Sequence, residues 1–440
     1  MKSDRQRPVV IIGGGFSGTI VAAQLARRGI DSVLIEGGGR AGLGTAFSTT
    51  EPAHLLNVRA ASMSAWPDDP GDFVRFLDGQ SPADFAERRA FGRYLRSILD
   101  EAVASKLVTL THQRAIGARR ENGSWTVELA NGETLAASAL VLAIGNQPPE
   151  PLGAAAAADS PRFINNPWAP EARAAVEAAA ADGGDVLIIG TGLTMVDMVL
   201  SLDEAGHGGR MVALSRRGQI PRAHADTSAA QIEAGEVPHG SVGALWRWLR
   251  RRSGDLGWRS AVDGLRPHSH ALWQSLPVAE QRRFIRHARP WWDVHRHRIA
   301  PQVAERIRAL VAEGRLEIVA GRIGAVQAVE EGLEVAIRRR GAEIGQMQRF
   351  AYAFNCTGPL GAIGRTRDPL LRQLIDDGAA RPNELGIGLE VDENSRVAGA
   401  QRLWALGPLT KGRYWEIVAV PDIRVQAAEV AQDIARELGR

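Results

Sequence analysis

Unbroken apolar runs closed by glycine alternate with stretches of helical period through most of this 440-residue chain. Val9-Val10-Ile11-Ile12 is the first such run, and its lack of polar alternation predicts a strand buried on both faces. Glycines follow it, residues 17–28 predict a helix, and residues 32–35 predict the next strand of a βαβ unit. Residues 91–104 place Leu95, Ile98, Leu99 and Ala102 on one helical stripe. A hairpin is expected next, with strands at 124–129 and 134–144 around the turn Asn131-Gly132. Gly145 ends it, and Pro148-Pro149 blocks further ladder pairing.

Residues 151–181, rich in Ala and Pro, predict a crossover and one helix. A second βαβ unit then runs from Asp185 to about Arg217, opening on Val186-Leu187-Ile188-Ile189. Between 220 and 301 strand patterns vanish. Trp246, Trp248, Trp258, Trp273, Trp291 and Trp292 crowd together there with arginines and histidines, which predicts a helical insertion. Strand character resumes at 316–319 and 333–337, and Phe354 to Gly358 closes that unit. The chain finishes with a strand at 403–406 and a helix at 421–438. The fold class expected is α/β, with two Rossmann-like dinucleotide-binding domains and a helical insertion.

The two glycine turns carry the candidate chemistry. In Gly13-Gly14-Gly15-Phe16-Ser17-Gly18 the first glycine of the G-x-G-x-x-G spacing permits a tight turn and the second lets backbone approach a pyrophosphate. The third lets helix and strand pack closely, and the unpaired amides of the helix start point at the phosphates. Glu36, eighteen residues past Gly18, stands where an acid binds a free ribose hydroxyl. The second turn, Gly190-Thr191-Gly192-Leu193-Thr194, has Met195 at the third glycine position, so helix and strand are expected to separate slightly there. Its next strand ends in Ser215-Arg216-Arg217 instead of an acid. Guanidinium pairs with phosphate, so NADPH is favoured over NADH. Asp197, inside the second helix, is expected to be a structural cap or network residue.

Composition narrows the remaining classes. A net charge of +3 and the absence of a run of five like charges argue against a nucleic-acid partner. No uncharged apolar run approaches the roughly 18 residues of a membrane span, and no signal-type segment precedes the first strand, so a cytoplasmic protein without a membrane partner is expected. The single cysteine, Cys356, cannot form an internal disulfide and is expected to be an inert core thiol. Asp293-x-His295-x-His297 has the residue types of a metal triad, but the neighbouring Arg289, Arg296 and Arg298 would repel a cation. No metal is expected. Trp291 and Trp292 are expected in the core.

On these residues the chain resembles the bacterial FAD/NAD(P)-binding proteins related to two-dinucleotide-domain flavoprotein monooxygenases. Further segments carry the resemblance: Gly44-Thr45-Ala46-Phe47, His54 to Val58, Met63-Ser64-Ala65, Leu142 to Asn146, Asn166-Pro167-Trp168, Trp292 to Arg298, Asn355 to Pro359, Ala405 to Pro408 and Trp415-Glu416-Ile417. It implies an FAD domain made from both chain ends, residues 1–160 and 351–440. An NAD(P) domain, 161–350, lies between them, with the helical insertion at about 220–305. It also implies that Gly44, Thr45, His54, Asn57, Met63, Gly145 and Gly407 join Gly13 to Gly18 and Glu36 around FAD. Gly190 to Thr194 with Ser215, Arg216 and Arg217 would hold NADPH. Pro408 replaces the acid that many relatives use at the ribityl chain, and the Baeyer–Villiger histidine is missing near Trp168.

The resemblance implies an NADPH-using flavoprotein that oxygenates a small molecule through a flavin C4a-(hydro)peroxide. No residue stands out as a catalytic acid or base. An NADPH-flavin reductase or oxidase, and a non-catalytic FAD-binding redox sensor, are the alternatives. Disulfide reductases share the two-domain plan but need two thiols beside the flavin, and only Cys356 exists.

Overall fold

The structure is a computed structural model and describes residues 7–152 and 160–440. The start of the chain and part of the expected crossover, 1–6 and 153–159, lie outside the described residues. Strands Leu403–Ala405, Ala139–Leu142, Val9–Ile12, Ser32–Ile35 and Val108–Thr111 stand in that order in a five-stranded parallel sheet. Parallel strands are covered on both faces, which explains why Val9–Ile12 and Ala139–Leu142 are apolar at every position. Helices Phe16–Ala26, Arg88–Ala104 and Val420–Leu438 cover one face. A three-stranded antiparallel sheet and helix Pro369–Asp376 cover the other.

A second sheet has seven strands. Met211–Ser215, Val186–Ile189, Tyr352–Asn355 and Phe163–Ile164 pair in parallel, with Leu316–Val329 parallel beyond Met211–Ser215. Gly332–Arg339 and Gln346–Phe350 extend that edge as an antiparallel arm. Leu193–Glu204, Pro170–Asp182 and Pro301–Ala312 bury one face of this sheet. Both chain ends therefore build the first sheet and the middle of the chain builds the second.

Four points depart from the expectations. The strand expected over 134–144 is two strands in different sheets: Thr134–Ala137 pairs with Ser124–Leu129, while Ala139–Leu142 pairs with Val9–Ile12. The change of sheet occurs at buried Ser138, whose amide donates to the Pro8 carbonyl at 3.0 Å. An unbroken apolar run conceals such a switch because both strands are buried. Strands Val108–Thr111 and Ala115–Glu121 were not expected; the second carries Arg119, Arg120 and Glu121 in its exposed half, which hides its period.

The insertion is helical from Val242–Leu256 to Arg289–Arg296, but residues 220–233 have no regular element. Its tryptophans divide between two small cores, one around Trp248 and Trp292 and the other around Trp273 and Trp415. Trp292 is buried as expected, whereas Trp291 is 40% exposed. Trp291 lies beneath the Arg217 guanidinium, 5.9 Å from ring centre to Cζ, so solvent and a cation, not a core, surround it.

Candidate functional site

The first glycine turn is held by backbone approach that a side chain would prevent. Gly13 has φ +105°, and a Cβ there would stand 2.5 Å from the Ala143 carbonyl oxygen. At Gly18 a Cβ would lie 1.8 Å from the Gly13 oxygen. Gly15 caps the first helix with no side chain of its own, leaving the amides of that helix start open for an anion. Gly44, at φ +55°, packs on Gly15 so closely that a Cβ would lie 2.8 Å from the Gly15 Cα. Phe16, Ser17 and Gly18 are buried beneath the turn.

Glu36 ends the second strand beside this turn. One carboxylate oxygen accepts from the Gly14 amide at 2.8 Å and the other from the Gly38 amide at 2.7 Å. Each oxygen keeps lone-pair capacity for a ribose hydroxyl. The C-terminal part of the chain reaches the same place. A Cβ on Gly407 would lie 2.9 Å from Ser17 Oγ, and the Gly407 amide donates to Gln426 Oε1 at 2.8 Å. Met63 is buried in the first core, and Gly145, at φ +68°, follows the strand that meets Gly13. The glycine cradle and its acid fit FAD: the close approach is built into the backbone, and the open amides match a pyrophosphate.

The second turn repeats this geometry. Gly190 has φ +117°, and a Cβ there would stand 2.2 Å from the Cys356 carbonyl oxygen. Cys356 is therefore the positional counterpart of Ala143, each following the strand that lies beside a glycine turn. Gly192 caps the second helix without a side-chain bond. Met195 is fully buried, and the first backbone bond of this helix, Val196 to Gly192, is 3.3 Å against 2.9 Å for Thr19 to Gly15. That loosening accompanies the missing third glycine. Thr191 and Ser215 share a hydroxyl hydrogen bond of 2.8 Å, and Ser215 Oγ accepts from the Gly218 amide at 3.0 Å, which fixes the strand end. Leu193 and Thr194 form the first turn of the helix. Arg216 is exposed, and among the described residues neither it nor Arg217 pairs with a carboxylate.

A cavity of about 420 Å³ lies between the segment 40–54 and the helices of the second unit, with Arg40, Thr45, His54, Trp168, Thr194 and Ser201 in its wall. His54 does not stand free in it. Its Nδ1 meets Thr49 Oγ1 at 2.8 Å, while Nε2 meets the Asp197 carbonyl at 3.0 Å and Ser201 Oγ at 3.1 Å. These partners assign the tautomer with hydrogen on Nε2. Arg88 adds an ion pair to Asp197 at 2.8 Å, with both side chains nearly buried. His54 and Asp197 thus join the first unit to the helix of the second. The Asn57 carbonyl accepts from His224 Nε2 at 3.0 Å, and burial pushes the His224 imidazole down to about 4.

The insertion grips the C-terminal segment. Buried Glu416 accepts from Trp292 Nε1 at 2.7 Å and from Arg296 Nε at 3.0 Å. Burial acts to raise its pKa, but the Arg296 and His297 charges and these hydrogen bonds hold it below the usual carboxylate range. Burial, and then the Arg289 charge, push the nearby Lys411 ammonium down to about 8. Neither residue is evident from spacing, because their partners lie more than a hundred positions away. Asp293 and His297 sit against these charges, and among the described residues no acid, histidine and cysteine cluster has metal-binding geometry. Cys356 is 3% exposed, and burial raises its thiol far above the ordinary range.

Residues 10–147 match the FAD-NAD(P)-binding family model. No curated protein matches the chain by sequence. Among solved structures, ornithine hydroxylase PvdA from Pseudomonas aeruginosa superposes with a TM-score of 0.65 at 15% identity, covering 98% of this chain and 99% of that one. An ornithine N-hydroxylase from Kutzneria sp. 744, KtzI, described with reduced FAD, NADP+ and L-ornithine, gives 0.65 at 14% identity, with 98% and 99% covered. Bacillithiol disulfide reductase Bdr from Staphylococcus aureus gives 0.62 at 16% identity, covering 98% of each chain. The fold is that of two-dinucleotide-binding flavoproteins, and the same architecture serves both oxygenating and disulfide-reducing proteins.

Proposed function

We propose that this chain is an FAD-dependent oxidoreductase that takes hydride from NADPH and oxygenates a small molecule. Gly13 to Gly18, Gly44 and Glu36 hold the FAD pyrophosphate and ribose, and Gly190 to Thr194 hold the NADPH pyrophosphate. Arg216 and Arg217, which have no carboxylate partner among the described residues, supply positive charge at the strand end, where they would recognise the 2′-phosphate. FAD, when bound, supplies the hydride acceptor and the oxygen chemistry; the protein supplies placement and exclusion of water. The balance is NADPH, a proton, dioxygen and substrate in, with NADP+, water and the oxygenated substrate out.

The observation that carries the oxygenating reading over the reducing one is the position of the only thiol. Cys356 is buried behind the second glycine turn in the place that Ala143 takes behind the first, and its burial keeps it protonated. No thiol stands at the first turn to relay electrons to a disulfide. The test supplies the FAD-loaded protein with NADPH and dioxygen, beside a low-molecular-weight disulfide in one arm and small amines and acids in another. The expected result is a gain of one oxygen atom in a small molecule, with peroxide yield falling below NADPH consumed. NADPH oxidation that tracks disulfide reduction would overturn this reading.

A further inference from the structure

A second cavity, of about 340 Å³, opens where the insertion, the segment around Ser62 and the start of the C-terminal helix Val420–Leu438 meet. Its wall includes Ser62, Arg266, Ser269, His270, Asp422 and Arg424. The charges here do not cancel. Glu416, also in the wall, is committed to Trp292 and Arg296. Arg266 Nη2 faces Asp422 Oδ2 at 3.3 Å, so those two offset one another. Arg424 has no carboxylate within ion-pair distance among the described residues; its Nη1 donates to the Ser64 carbonyl at 2.8 Å. Its Nε and the Ser269 hydroxyl oxygen are both buried without a hydrogen-bond partner.

Arg424 is half-buried, and a buried Nε donor left unused is costly unless something accepts from it. Burial, and then the charge of Arg266, disfavour the Arg424 cation, yet a guanidinium remains protonated in proteins. The site therefore has one surplus positive charge, a planar donor fork and a spare hydroxyl. We propose that this cavity binds a small organic acid through a single carboxylate, with Arg424 as the principal partner and Ser269 and Arg266 completing the contact. A monoanion is favoured because Asp422 already offsets Arg266, so a dianion would leave negative charge uncompensated. Binding stands on the cavity alone. That the bound acid is the molecule oxidised rests on the oxidoreductase reading, since Arg424 stands on the C-terminal helix, next to Ile423, which packs on Gly407 where that turn meets Ser17 of the first glycine turn.

The experiment uses the FAD-loaded protein without NADPH. It titrates benzoate, 3-phenylpropionate and hexanoate, each against its primary amide, with methyl phosphate as the dianion, and follows binding by calorimetry. Carboxylates are expected to bind and amides not, and Arg424→Gln is expected to weaken carboxylate binding about 10- to 100-fold. Ser269→Trp fills the cavity without removing a charge and is expected to abolish binding, which keeps the test open where Arg424→Gln folds poorly. Equal affinity for acid and amide, tighter binding of methyl phosphate, or unchanged binding in Ser269→Trp would overturn the proposal. Reduction of the flavin by NADPH, measured separately on the same preparation, distinguishes the two readings: carboxylate binding without reduction leaves this site standing and removes the oxidoreductase reading.

Discussion

Gly18 has the least tolerance of any position in the first turn. A Cβ at 1.8 Å from the Gly13 oxygen cannot be relieved by a rotamer, because backbone geometry fixes the Cβ and the Gly13 oxygen is itself backbone. Gly18→Ala is therefore expected to push the first helix off the strand and to lose most bound FAD. The flavin-to-protein absorbance ratio after purification checks this, and full FAD occupancy would refute it. In the proposed reading, Arg216 and Arg217 pair with the NADPH 2′-phosphate. Replacing both with Ala is expected to raise the KM for NADPH roughly 10- to 100-fold, as expected for loss of charge-assisted hydrogen bonds. The KM for NADH should change little, and equal effects on both would remove the phosphate assignment. The tight backbone approach at Gly13 and Gly18 was legible in the sequence because glycine spacing is a local signal. The roles of Glu416 and Lys411 were not, since their partners are placed only by the fold; Asp197 was expected in a structural network, but Arg88 as its partner was not legible.

Among the elements, the C-terminal helix has the most to position. Buried Gln426 accepts from the Gly407 amide and donates to Ser395 Oγ and Thr410 Oγ1, both at 3.0 Å, so one side chain holds the turn that faces Ser17. Gln426→Leu leaves that amide unsatisfied and is expected to cost about 1–3 kcal/mol, read as a lower urea midpoint with unchanged slope. Acid sensitivity has an identifiable contributor in the segment linking the insertion to residue 57. His224 is held at about 4 in the fold against an ordinary 6.5. The unfolded chain binds the extra proton between those values, so stability falls as pH drops from 6.5 toward 4 and this contribution levels off below. His224→Gln keeps a donor for the Asn57 carbonyl and is expected to lose less stability between pH 7 and 5 than the parent; an identical loss would rule His224 out. Elements with continuous apolar runs or a clear helical stripe were legible in advance. Ala115–Glu121 was not, because charge on its solvent half breaks the pattern, and the sheet change at Ser138 leaves no mark in hydrophobicity.

Across the molecule, buried contacts join the five-stranded and seven-stranded sheets. The first unit reaches the second through His54 and Arg88 against Asp197, and the insertion returns to the first through Trp292, Arg296 and Glu416. Removing one partner of a buried pair such as Arg88–Asp197 leaves an uncompensated charge, typically about 3–5 kcal/mol, so these links hold the two glycine turns in one fixed relation. In the proposed reading, electrons entering at the second turn cross that junction to reach the first. Anaerobic titration of the FAD-loaded protein with NADPH, followed by flavin absorbance, tests this most directly. Complete bleaching by one equivalent of NADPH is expected, with far slower bleaching by NADH. Oxidised flavin that persists in excess NADPH would contradict it.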